Sequence, residues 1–255
     1  MGAAEFRGQV TSGETLVGTF MKTPAVDILE VLILAGLDFV CLDAEHAPFD
    51  RAALNACAAV ARGHDFPFFV RVPSGTAQEI GMALDAGATG IIVPHVMDAV
   101  AAARVARAAR FGHGGRGYAG STRWAGFGTC DMTTLLQRSR DQTVVIAQIE
   151  DPEAVDLCDE IAATDGIDGL FLGPADLSVA YGKTDTSSPE LHAALDRVGQ
   201  AAKAHGKAYM TFVPHAAAGK EWAKYGFTAW FVASEHAWML QGAKAAVSGL
   251  KGDAE

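Results

Sequence analysis

Residues 41–50 read CLDAEHAPFD and place Asp43, Glu45, His46 and Asp50 where an apolar run, FVCL, leaves the interior. Carboxylates are seldom fully buried without partners, so such a cluster is either a solvated turn or a site. The spacing lets Asp43 hold one ring nitrogen of His46, leaving the other to take or give a proton. Arg71 interrupts the apolar run FFVRV and needs an anion. Its planar fork suits a carboxylate or a developing oxyanion, and equally a structural ion pair with Asp43 or Glu45. In AQIE, Gln148 and Glu150 share one side of a strand, because side chains alternate. Asp176 follows in LGPADLS. If Glu150 and Asp176 meet they repel, and a cation would relieve the repulsion. Oxygen-only donors suit Mg²⁺ or Mn²⁺ rather than zinc. Two solvated loop carboxylates are the other reading. Gly173 permits unusual dihedrals, and the amides of Ala175 and Asp176 can bind a carboxylate or phosphate where a helix opens. Asp176 as a plain N-cap is the alternative. His95, closing GIIVPH, reads as a rim histidine packed under HVMD.

The elements that must position these residues repeat. Apolar β-rich runs at 16–21, 38–43, 67–72, 90–95, 144–150, 169–173, 207–212 and 229–234 alternate with Ala-rich helical segments. Strict alternation implies a parallel sheet with helices outside, and near-continuous apolar strands imply a sheet buried on both faces. Eight such units in about 250 residues suit a (β/α)8 TIM barrel, whose active site forms at the C-terminal strand ends. The alternative, an open doubly wound sheet, is disfavoured by the count and by the absence of GxGxxG after the first strand. One domain over residues 1–255 is expected. Residues 110–142 break the rhythm with GGRGYAGSTRWAGFG and the short helical pattern MTTLLQRSR. A loop of that length is usually functional or disordered, and Arg116, Arg123 and Trp124 argue against pure disorder.

A net charge of −10 across 255 residues argues against a nucleic-acid partner, which needs clustered Lys and Arg. No run approaches the roughly 18 apolar residues of a membrane span, and the first residues carry no signal-peptide pattern. None of the four cysteines lies in a CxxC pair, so a zinc site is not expected, and buried free thiols in a reducing cytoplasm are.

The ordered motifs LDAEHAPFD, VRVP, GATGIIVPHV, RGYAGSTRW, AQIED and GIDGLFLGPADLS resemble the HpcH/HpaI aldolases from about residue 15 to 250. The resemblance implies a metal-dependent class II aldolase of the phosphoenolpyruvate/pyruvate barrel superfamily. Such an enzyme joins or cleaves a 2-oxo acid donor, pyruvate or hydroxypyruvate, and an aldehyde through a metal-stabilised enolate. It implies Glu150 and Asp176 as ligands of Mg²⁺, Mn²⁺ or Co²⁺, with Gln148 beside them and no organic cofactor. The donor carboxylate would rest on Gly173, Pro174, Ala175 and Asp176. Arg71 would face the enolate and aldehyde oxygens, His46, oriented by Asp43, would move protons, and Phe212 would line the acceptor pocket. Asp85 matches a position that reaches a neighbouring subunit's site in trimers or hexamers whose last helix is exchanged. No lysine is placed for an imine; only Lys22 approaches the rim. Competing readings are an acyl-CoA-type lyase, which would want more basic residues, and a non-catalytic 2-oxo-acid-binding protein, which would not need His46.

Overall fold

A computed structural model describes residues 2–252; residue 1 and residues 253–255 of the expected 1–255 domain lie outside the described residues. Eight parallel strands close into one barrel in sequence order, β1 pairing with β8. They are β1 Leu16–Met21, β2 Phe39–Asp43, β3 Phe68–Arg71, β4 Gly90–Val93, β5 Val144–Ile149, β6 Gly169–Leu172, β7 Ala208–Val213 and β8 Ala229–Ser234. The helices are α1 Phe6–Ser12, α2 Val26–Leu34, α3 Arg51–Gly63, α4 Ala77–Ala86, α5 Ala99–Ala108, α6 Met132–Asp141, α7 Pro152–Asp156, α8 Cys158–Ala163, α9 Pro174–Ala180, α10 Pro189–Ala204, α11 Ala216–Trp222 and α12 Glu235–Lys251.

Strand alternation divides the core in two. Phe20, Phe39, Phe69, Phe171 and Phe231 fill the bore with Ile92, Ile146 and Met210. Their rings meet tilted or edge-on at 4.9–6.4 Å, arrangements that add to the burial of area alone. The opposite strand faces, with Leu42, Val70, Ile91 and Leu172, pack under the helices. Helix α1 was not apparent in the sequence. It closes the N-terminal end of the barrel with Phe6, whose ring lies 5.8 Å from Phe39 and 5.5 Å from Phe69.

Strand β4 stops two residues earlier than the run 90–95 suggests. Pro94 has no amide to donate to the ladder, and His95 turns left-handed at φ 51°. The long loop carries α6 and a small core of Phe111, Trp124, Ala125 and Leu135. No helix among the described residues is long and apolar enough to cross a membrane.

Candidate active site

Parity along each strand decides what reaches the C-terminal mouth. Phe39 and Cys41 face the bore, so Asp43 follows them; Phe69 faces the bore, so Arg71 does too. The β2–β3 register sets Asp43 directly beside Arg71. Their contact is two-pronged, with Arg71 Nε donating to Asp43 Oδ1 at 3.0 Å and Nη2 to Oδ2 at 2.8 Å. Lys22 Nζ lies 3.2 Å from Asp43 Oδ2, and Glu45 Oε2 lies 3.2 Å from Arg71 Nε. The Phe20 ring sits under the guanidinium at 4.5 Å. Burial works to raise the Asp43 carboxyl, but the Arg71 hydrogen bond and charge outweigh it and hold it below its ordinary range. The structural ion pair therefore forms. It occupies Nε and Nη2 and leaves the Nη1 donors for a ligand, so the two readings of Arg71 are compatible.

One expectation is overturned. Asp43 Oδ1 accepts from the backbone amide of His46 at 3.1 Å, not from its ring. The ring is 58 % exposed, with Nε2 3.7 Å from Glu45 Oε2. The Asp43 oxygens are already taken by Arg71, Lys22 and that amide, so Asp43 does not fix the imidazole tautomer.

On β5, Val144 and Ile146 face the bore, and Gln148 and Glu150 continue the column to the mouth. Gln148 Nε2 donates to Glu150 Oε2. The backbone amide of His95 donates to Glu150 Oε1 at 2.8 Å. Burial raises the Glu150 carboxyl, and these two hydrogen bonds only partly offset it. The other end of the Gln148 amide, Oε1, is buried without a hydrogen-bond partner.

Gly173 brings Asp176 to this group. A Cβ at Gly173 would lie 3.1 Å from Asp176 Oδ2 and 3.4 Å from Glu150 Oε2. Both carboxylates thus border a cradle that a larger residue would fill. Asp176 is not the N-cap of α9. Gly173 holds that place without a side-chain cap, and Asp176 stands in the first turn. The first intrahelical bond runs from Leu177 to Gly173, so the Ala175 and Asp176 amides precede it. Two carboxylates and an orphaned amide oxygen form an oxygen-only donor set of the kind that hard divalent cations favour.

His95 is not packed under its neighbours. Its ring is 63 % exposed, with Nδ1 2.9 Å from Asp151 Oδ2 and 3.3 Å from Glu150 Oε1. The Asp151 hydrogen bond is the main cause of a raised imidazole pKa. Ligand atoms of His95, Glu150 and Asp151 fall within 4.8 Å of one another.

Phe212 ends the bore-facing column of β7, half-buried, its ring 6.4 Å from Phe20. Asp85 does not join this chain's own rim. It lies near the C-terminal end of α4, towards the opposite end of the barrel, and pairs with Arg116 of the long loop. Glu235, at the root of α12, was not apparent in the sequence. Its buried carboxylate accepts from the Lys22 and Thr23 amides at 2.8 and 2.6 Å, while Oε2 has no partner. A single acid after a strand gives no such signal.

The chain matches the HpcH/HpaI aldolase/citrate lyase family over residues 16–241. It belongs to that family. With membership comes the reaction class of the aldolases, carbon–carbon bond cleavage and formation on small molecules. The chain is 32 % identical over 226 residues to a 5-keto-4-deoxy-D-glucarate aldolase of Enterobacter sp., covering 88 % of each chain. It is 32 % identical over 254 residues to a hydroxypyruvate/pyruvate aldolase of Paraburkholderia phytofirmans, covering 96 % of each. A crystal structure of an HpcH/HpaI aldolase/citrate lyase family protein from Burkholderia cenocepacia superposes with a TM-score of 0.92 at 32 % identity, covering 97 % of this chain and 99 % of that one.

Proposed function

We propose that this chain is a class II aldolase that joins or cleaves pyruvate or hydroxypyruvate and an aldehyde, with Mg²⁺ or Mn²⁺ held by Glu150 and Asp176. The observation that carries the reading is the Gly173 cradle, bordered by both carboxylates and lying on the rim that also holds Arg71. A divalent ion bound there supplies the Lewis acidity that stabilises negative charge on the donor oxygen.

The remaining roles fall to the chain itself. The amides of Ala175 and Asp176, with Gly173 and Pro174 before them, receive the donor carboxylate. Gln148 Oε1 accepts a hydrogen bond from water or from a donor hydroxyl. Arg71, locked by Asp43, offers Nη1 to the oxygen that gains charge, pre-aimed and largely shielded from water. His46 exchanges a proton through its exposed ring. Phe212 and Phe20 form an apolar wall on the acceptor side. Lys22 Nζ is committed to Asp43 at 3.2 Å, which supports a mechanism without an imine. Lys22 and Arg71 are both engaged with that carboxylate, which argues against the basic cluster that the phosphates of an acyl-CoA would need. The hydroxypyruvate/pyruvate aldolase among the relatives supports the choice of donor.

Exposed Met239, Leu240, Val247 and Leu250 on α12 support a trimer or hexamer in which this helix is exchanged. The partly exposed Asp85, held by Arg116, then serves a neighbouring site. The unpaired thiols of Cys41, Cys57, Cys130 and Cys158 support a reducing cytoplasm.

The test is pyruvate release from a 4-hydroxy-2-oxo acid. Activity should vanish in excess EDTA after dialysis and return with Mg²⁺ or Mn²⁺. Borohydride added with pyruvate should leave the protein mass unchanged. Full turnover without metal, or a reduced pyruvate adduct on Lys22, would overturn the reading.

A further inference from the structure

His95 is a non-glycine residue held in the left-handed region. A left-handed backbone crowds Cβ against the following carbonyl, and it is uncommon for any residue but Gly, although Asn, Asp and His adopt it more often than the rest. Such strain persists only where the surroundings impose it. Here φ is 51°, immediately after Pro94 ends β4. The result of the turn is specific. It aims the His95 amide at Glu150 Oε1 at 2.8 Å, while the following amide, Val96, donates to the Gln148 carbonyl at 3.3 Å. The ring then lies against Asp151 at 2.9 Å, bridging the ends of β4 and β5 from the solvent side. Glu150 is consequently held at both oxygens, by a backbone donor on Oε1 and by Gln148 on Oε2. Oε2 is the oxygen that borders the Gly173 cradle.

We infer that the left-handed turn at His95 is a positioning device for the metal-binding carboxylate: its backbone amide fixes the rotation of Glu150 so that Oε2 faces Asp176 across the cradle. The inference rests on the proposed metal site. It assigns the work to the backbone of His95, with the ring as a clasp on Asp151. Orienting partners of this kind typically change metal affinity by roughly 10–100-fold when lost.

The experiment titrates Mn²⁺ into the full-length chain, by calorimetry and by the electron paramagnetic resonance signal of free ion, with thermal melts in EDTA to confirm folding. His95→Gly and His95→Asn keep the amide and tolerate positive φ; both should bind Mn²⁺ within about threefold of the original chain. His95→Val, β-branched and strongly disfavoured there, should bind roughly 10–100-fold more weakly. His95→Ala, easier to fold than the Val variant, should fall between. Equal weakening in the Gly and Val variants would overturn the inference, because it would make the ring itself the contributor. Unchanged affinity in both would overturn it as well. Glu150→Gln separates this from the underlying reading. If Glu150→Gln leaves Mn²⁺ binding intact, the metal assignment itself fails and the positioning role falls with it.

Discussion

Two buried ionic clusters sit at opposite ends of the barrel, and they are built differently. At the N-terminal end, Asp168 is 3 % exposed and saturated. It accepts from Arg7 Nε and Nη2 at 3.0 and 2.7 Å, from Arg110 Nη2 at 3.0 Å and from the Val145 amide at 2.9 Å. At the C-terminal end, Gln148 Oε1 and Glu235 Oε2 are buried without a hydrogen-bond partner. A buried polar atom left unpaired costs roughly 1–3 kcal/mol, a cost that the rim carboxylate and amide carry and the Asp168 carboxylate does not. The saturated cluster ties α1 and the segment after α5 to the sheet. The unsaturated one leaves acceptor oxygens open, as the proposed metal and donor sites require.

Substitutions can break or sharpen this contrast. His46→Ala should have the largest effect on rate, roughly 10²–10⁴ in kcat/KM, with Mn²⁺ affinity and Tm unchanged, as befits an exposed ring that only moves protons. Unchanged exchange of pyruvate methyl protons with deuterated solvent would remove His46 from that step. Arg71→Ala should lower kcat/KM by about 10²–10³, the scale of one lost oxyanion donor, with a smaller loss of Tm than any change at Asp168. If Tm collapses while kcat/KM per folded molecule holds, Arg71 is structural and the two clusters are alike.

Asp168→Asn should do the reverse. Breaking a saturated buried pair costs about 3–5 kcal/mol, visible in denaturant unfolding, while kcat of the folded fraction stays near its original value. The smallest effect concerns acid. The Asp43 carboxyl is depressed in the fold, so it contributes stability above its ordinary value of about 4, and that contribution is lost as pH falls through the folded value. Asp43→Asn should flatten the decline of Tm below about pH 4, and an unaltered acid limb would count against the pairing with Arg71.

Much of the rim was legible because a barrel turns parity into position. Once FVCLD, FFVR and VVIAQIE read as strands, Asp43, Arg71, Gln148 and Glu150 had to share the bore-facing side and the mouth. What failed was local. A separation of three positions from Asp43 to His46 fits a ring contact or an amide contact equally well, and the lateral partner Arg71 decided between them. His95 gave no sign of its backbone, since its left-handed turn depends on Glu150 and Asp151, 55 and 56 residues away. Helix α1 was invisible because FRGQVTS has little periodicity. It is held by Phe6 in the bore and by Arg7 on Asp168.

The aromatic filling of the bore has an optical consequence. Every ring in it is phenylalanine, whereas the four tryptophans, Trp124, Trp222, Trp230 and Trp238, all lie outside. Intrinsic fluorescence is therefore dark to the barrel interior and bright at its periphery. Trp124 is packed edge-on to Phe111 and flanked by the guanidinium groups of Arg116 and Arg138 at 5.0 and 4.9 Å, so its emission reports on the 110–142 loop. Trp238, on α12, reports on that helix. A change in tryptophan emission on adding a 2-oxo acid would signal motion in the outer shell of the molecule, transmitted from a rim that itself emits nothing.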